Sequence, residues 1–533
     1  MLSERWYKTQ YTIDDISKDL CEKWQSASNE SLHFPERNDM IASDFSLRAV
    51  EGAPKDEPRL LKDDELCRLW YKPDNVFEMP KVNSFAHIRS SAAYSSPESS
   101  VLTNLWVQIL QEHCNDFTYL ASMANLHCSF VNARTGVIIN VSGYNHKINV
   151  LMGRIVKAII ALPDKLEQDL FERIRDKTAK SYHNFLFSQP YQHAFYGGEQ
   201  CFDPMVWSID DKKIALAELT MSDLVDFHKR LLSRFHLEML VHGNCSPDEA
   251  TMLASTLVDG LKPSKLFASN RPQTRVVALK EKVSYVHRMP GFNEEDTNSC
   301  IANIYQMGAI DIRKNAVLAL INHLIKEPAF NELRTEEQLG YIVHTSIQIF
   351  GNDIKNLLIL IQSDSFDPIY LDGRVEAFLD RFRSKISKMT EEEWQTNIDA
   401  VTALLREKNK NLAEESTRYW QVISNGAYFF QKLKLVANEV ETLKVTEVLR
   451  VFDRYFSKES SKRKKLSVQV FSKNVAEKIN ETIVVKESGI EDDTVLIMLE
   501  DVVDFKREMP LFPLPKKKDV KAMMMQNEEG STQ

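Results

Sequence analysis

At 533 residues the chain exceeds what one hydrophobic core supports, and size alone points to about three or four units. Its 43% hydrophobic and 27% charged content are those of an ordinary soluble globular protein, and a net charge of −9 argues against a nucleic-acid binder. Seven scattered cysteines without a C-x-x-C read as reduced thiols, no run nears the ~18 apolar residues of a membrane span, and neither terminus carries a signal core, a peroxisomal tripeptide or a lipidation site, so the expected location is the cytoplasm.

In chain order, residues 1–49 read as helix-like and polar, with a few aromatics. Two prolines and a glycine among charges make 50–62 a linker. A strand is expected over 82–89. Ser96 can cap a helix with Pro97 at its first position, and Val101, Leu102, Leu105, Trp106, Ile109 and Leu110 form its apolar stripe. Residues 129–131 and 137–141 read as a hairpin. A long helix is expected from about 164 to 186, because the residue before Pro190 disfavours the helical region, with His193 in the loop beyond.

A similar plan then recurs. Ser222-Asp223 precede an amphipathic helix, a strand at 237–241 and Asn244; Thr446-Glu447 precede a helix, a strand at 466–470 and Asn474. Thr446 lies 224 residues after Ser222 and Asn474 lies 230 after Asn244, the difference falling near a charged insert at 458–465. The implied fold class is α+β: two homologous domains, 63–279 and 280–514, each an antiparallel sheet packed with helices, ahead of a polar tail, 515–533, expected to be disordered. In the second domain, strands are expected at 299–307 and 355–362, with Val317, Leu320, Ile321 and Leu324 on one helix face.

The most informative stretch is 327–343, E-P-A-F-N-E-L-R-T-E-E-Q-L-G-Y-I-V. Glu327 closes an apolar helical run, and Pro328 suits the first turn of a following short helix. Phe330, Leu333 and Arg334 fall at spacings of three and four, so they share a face. Gly340 gives a sharp turn, and Tyr341, Ile342 and Val343 favour a strand. An always-charged guanidinium and a phenol at such a junction can polarise a peptide carbonyl and hold the oxyanion formed on attack. The structural alternative pairs Arg334 with Glu336 or Glu337 and buries Tyr341 in a core.

F-N-E-L-R-T-E-E-Q-L-G-Y-I-V resembles the signature of the insulin-degrading-enzyme (insulysin) family of pitrilysin-type zinc metalloendopeptidases. Trp6-Tyr7-Lys8-Thr9-Gln10-Tyr11, Gln189-Pro190-Tyr191-Gln192-His193-Ala194, His242-Gly243-Asn244 and Met509-Pro510-Leu511-Phe512-Pro513-Leu514 are similar to segments of that family in the same order. The resemblance covers nearly the whole chain but only the C-terminal half of the family's architecture, with residues 1–49 as the end of a preceding domain. It implies that Arg334 and Tyr341 stabilise the transition state and that Phe330 lines the pocket for the side chain after the scissile bond.

The family's zinc site needs H-x-x-E-H, two histidines on one helix face with a glutamate that activates water. None of the thirteen histidines begins that motif or H-E-x-x-H. His323, in H-L-I-K-E, lacks a second histidine and reads as a helix residue. The expectation is a half-enzyme acting on peptides, with zinc supplied by a missing N-terminal half and none bound to this chain alone. That half would come in trans or from a longer product. The alternative is a non-catalytic peptide-binding or regulatory paralogue that dimerises with full-length relatives; a homodimer is a further partner the resemblance implies. Arg406, Lys408 and Lys410 form a small basic cluster, read either as a polyanion contact or as a solvated helix end.

Overall fold

The computed structural model describes residues 1–29, 37–49, 57–351, 353–480, 495–499 and 501–514. The expected tail, 515–533, and most of the expected linker lie outside the described residues.

Near the N-terminus β1 (Leu2–Ser3) pairs with β2 (Gln10–Tyr11), and a nine-residue helix, Lys18–Ser26, follows; none of that helix's residues is buried. β3 (Arg59–Asp63), β4 (Cys67–Pro73), β5 (Lys81–Arg89), β6 (Leu126–Ala133), β7 (Gly136–Tyr144), β8 (Arg234–Gly243) and β9 (Ser264–Lys265) build the first sheet. Its order is β3-β4-β8-β5-β7-β6, with β9 beside β8. β10 (Val283–Pro290), β11 (Ser299–Gly308), β12 (Ile342–Phe350), β13 (Ile354–Ser363), β14 (Lys464–Phe471) and β15 (Val495–Met498) build the second, in the order β12-β13-β11-β14-β10-β15. Strand β3 begins inside the stretch read as linker.

The two sheets repeat one plan. Reading β6-β7-β5-β8-β4 against β12-β13-β11-β14-β10 gives the same five positions in the same order. Both are antiparallel-rich, as expected. Each also carries two parallel pairs, β4 with β8 and β8 with β9 in the first, β10 with β14 and β10 with β15 in the second, because helical crossovers return strands in the same direction. β13 and β11 are buried at every position, which suits the apolar run Leu357–Ile361 in β13.

Helices cover one face of each sheet from within the same repeat. Pro97–His113 and Asn145–Lys165 lie on the first, and Ile312–Ala329 and Pro368–Ser387 on the second. Ser96 caps its helix as expected, and the six-residue stripe is buried. The opposite faces are covered by exchange. Helix Pro190–Phe202, from the first repeat, packs on β11, β13 and β14, while Leu412–Ser424, from the second, packs on β5 and β8. Trp70 stacks on Tyr428 at 5.3 Å and Phe85 on Trp420 at 5.4 Å, contacts of about 0.5–1.5 kcal/mol each beyond their buried area. At the other site a Cβ on Gly197 would come within 2.9 Å of Met289 and Val468, so the helix seats with its backbone almost on the sheet.

Two expectations are corrected. The helix expected from about 164 to 186 runs from Gln168 to Phe185, starting later because Leu166 and Glu167 adopt extended backbone after a separate helix, Asn145–Lys165. His193 is not in a loop. Pro190 opens a new helix through a Gln189–Gln192 capping box, and His193 is buried within it. Among the described residues no helix is long and apolar enough to cross a membrane.

Candidate functional site

The 327–343 junction is built differently from its sequence reading. Helix Ile312–Ala329 continues through Pro328 and opens into a π-helical segment, Phe330–Glu336. Proline lacks the N–H for the preceding carbonyl, and the widened turn that follows absorbs the mismatch. Glu337 N–H donates to the Glu332 carbonyl at 2.9 Å and Leu339 N–H to the Leu333 carbonyl at 2.9 Å. In this wider turn Phe330 and Arg334 come into register while Leu333 turns into the core, so the three do not share a face.

Gly340 matters through close approach. A Cβ there would lie 2.0 Å from the Gln362 carbonyl oxygen, so only glycine lets the chain pass β13. The left-handed backbone of the turn falls at Gln338, φ 51°. Tyr341 precedes β12 and is 82% exposed, which removes the alternative of a core tyrosine.

The Arg334 guanidinium carbon lies 4.6 Å from the Phe330 ring centroid and 4.6 Å from that of Tyr341. Both are within the ~6 Å of a cation–π contact. Two nearby carboxylates, Glu332 and Glu337, are engaged elsewhere. Glu337 accepts from Arg374 at 2.7 Å and from Arg381 at 2.6 Å, and Glu332 accepts from Arg381 at 2.9 Å. The hydrogen bond from Arg374 leads in holding the Glu337 carboxyl below its ordinary range. Among the described residues no carboxylate pairs with Arg334.

Arg334 and Tyr341 stand together in the lining of a cleft of about 850 Å³. Its floor includes His344 and Gln362, and Tyr191 and Phe195 of the exchanged helix form a further wall. Gln362 ties these parts together, since its Oε1 accepts from the Tyr191 N–H at 3.0 Å while its main-chain carbonyl sets the approach of Gly340. Burial, with a smaller effect of Lys326, lowers the His344 imidazole, favouring its neutral form. Gln362, Tyr191 and Phe195 were not picked out in the sequence as cleft residues. The only trace of Gln362 was a polar residue ending an apolar strand.

Elsewhere, Arg406 pairs with Glu441 at 2.6 Å and Lys410 with Glu407 at 3.2 Å, the arrangement of a solvated helix end. His242 is fully buried near the end of β8, with its Nδ1 2.8 Å from Ser416 Oγ. Among the described residues no group of three or more His, Cys, Asp or Glu side chains is placed to hold a metal ion.

Residues 1–215 match the middle or third domain of peptidase M16, and residues 320–420 match the C-terminal lobe domain 4 of PqqF-like PQQ synthases. The chain is 32% identical over 517 residues to the peroxisomal insulin-degrading enzyme-like 1 of Arabidopsis thaliana, covering 96% of this chain and 52% of that protein. It is 31% identical over 528 residues to the insulin-degrading enzyme of Homo sapiens, with 96% and 51% covered. The chain thus spans about half the length of the curated relatives it matches. Among solved structures, pitrilysin superposes with a TM-score of 0.78 at 21% identity over 96% of this chain and 52% of pitrilysin, a likeness of fold.

Proposed function

From the premise that this chain is an M16-peptidase-like half, resembling the C-terminal half of insulin-degrading enzymes, we propose that it supplies the substrate-polarising wall of a zinc endopeptidase. Arg334 and the Tyr341 hydroxyl donate to the carbonyl of the bond to be cleaved and stabilise the oxyanion that develops there. Phe330 holds Arg334 in place and borders the pocket for the residue after that bond. The family's zinc, when bound, activates the attacking water. The residues present here do not fit it, because H-x-x-E-H is absent from the sequence and no suitable donor cluster occurs among the described residues. Zinc and base are therefore assigned to the other half.

The observation that carries this reading is a guanidinium held by two aromatic rings at a cleft, with Glu332 and Glu337 taken by other arginines. Its N–H donors stay available to a substrate carbonyl. The test is cleavage of a fluorogenic peptide by the full chain alone, then mixed with a zinc-loaded N-terminal half of a relative. Turnover is expected only in the mixture. Turnover by the chain alone, after metal stripping and zinc reloading, would overturn the assignment. Binding without cleavage in both would favour a regulatory peptide-binding protein.

A further inference from the structure

Among the described residues, strand β12 forms one edge of the second sheet, with β13 its only strand neighbour. Natural edges are blunted by charge, proline, bulges or shortness, since unpaired N–H and C=O groups template another strand. β12 has none of these. Its nine residues include no proline, Asp, Glu, Lys or Arg, and its ladder with β13 runs nine pairs without a register shift. Two other described edges of the sheets differ. β3 carries Arg59, Lys62 and Asp63 with a register shift between Leu60 and Lys62, and β15 is only four residues long. β6 is as plain an edge as β12, uncharged and paired with β7 without a register shift, but it supplies no residue to the cleft that Arg334 lines.

The start of β12 is also a wall of the cleft, where Ile342, Val343 and His344 share its lining with Arg334. Along an antiparallel edge, alternate residues turn both N–H and C=O away from the paired neighbour. A peptide pairing there runs beside the cleft, and a carbonyl near one end meets the guanidinium and phenol. We propose that β12 is a strand-addition dock for an extended peptide segment, which captures main chain and so tolerates many sequences. The dock deepens the reading of Arg334 and Tyr341, on which its purpose rests.

The test uses the full chain and a fluorescein-labelled mixture of random nonapeptides, prepared unmodified, N-methylated at alternate residues, and N-methylated throughout. Strand addition uses one edge of the peptide, so alternate methylation should weaken binding by less than threefold and full methylation by at least tenfold. Hydrogen exchange should slow at alternate amides of 342–350 when the unmodified mixture is added. Equal loss from both methylated sets, no binding, or no protection of β12 would overturn the dock. So would a β12 already protected in a dimer seen by sedimentation, which would give the edge to a second copy. Arg334→Ala separates the two readings. If it abolishes turnover in the reconstituted mixture while β12 shows no protection, the polarising role stands and the dock fails.

Discussion

Replacing Arg334 tests the site most directly, because its effects on folding and on turnover separate in size. The side chain makes two cation–π contacts and no carboxylate pair among the described residues. At an exposed site each such contact contributes about 0.5–1 kcal/mol, so Arg334→Ala should cost no more than about 2 kcal/mol of stability. Removing a preorganised oxyanion donor costs about 2.7–4 kcal/mol of transition-state stabilisation, or roughly 10²–10³-fold in kcat. Arg334→Lys keeps a point charge near both rings but loses the planar fork, and should fall between the two, at roughly tenfold. Thermal unfolding and steady-state turnover of the reconstituted mixture provide the comparison. Reduced turnover accompanied by a loss of 5 kcal/mol or more would show that Arg334 holds the fold, and full turnover in Arg334→Ala would refute its role outright.

Other variants probe the frame. Glu376 accepts from the Tyr305 hydroxyl at 3.0 Å, Arg463 at 2.5 Å and Lys465 at 2.6 Å, all buried; Glu376→Gln leaves Arg463 without its carboxylate and should cost about 3–5 kcal/mol in urea unfolding. Gly340→Ala forces the chain off Gln362 and should open the 337–341 turn to limited proteolysis. Gly197→Leu should lift the exchanged helix from β10 and β14, costing about 1–3 kcal/mol or more. Stability should also fall in acid. Burial raises the Glu376 carboxyl, but Lys465 and Arg463 override it and hold it at about 2, against an ordinary 4.5. A depressed carboxyl stabilises above the unfolded value, so this contribution is full above pH 4.5 and disappears towards pH 2, as urea midpoints across that range would show.

Where local chemistry decided the outcome, it was legible in the sequence. Ser96-Pro97, the 129–141 hairpin and the apolar run of β13 each carried their own signal, and the repeat showed through matched spacing. What escaped was set by contacts distant in sequence. The helix from Pro190 resembles a loop start because proline signals both, and only its seat on the second sheet distinguishes them. The π-helical turn was hidden because 3.6-residue spacing places both Leu333 and Arg334 on the Phe330 face. The role of Gly340 depends on Gln362, in a separate strand. Arg334 and Tyr341 were visible as a pair, but the arginines that take Glu332 and Glu337, Arg374 and Arg381, stand on a separate helix beyond β12 and β13.

The crossed-over helices set an order of events during synthesis. Trp70, Phe85 and Leu240 sit in strands complete once residue 243 is made, yet the aromatic cover that shields them arrives only with residues 412–430. On a ribosome adding roughly 5–20 residues per second, that apolar face waits on the order of ten to forty seconds for its cover. The nascent chain is therefore a ready client for chaperones in that interval, and slowing elongation between 243 and 412 should raise aggregation before it alters the finished fold.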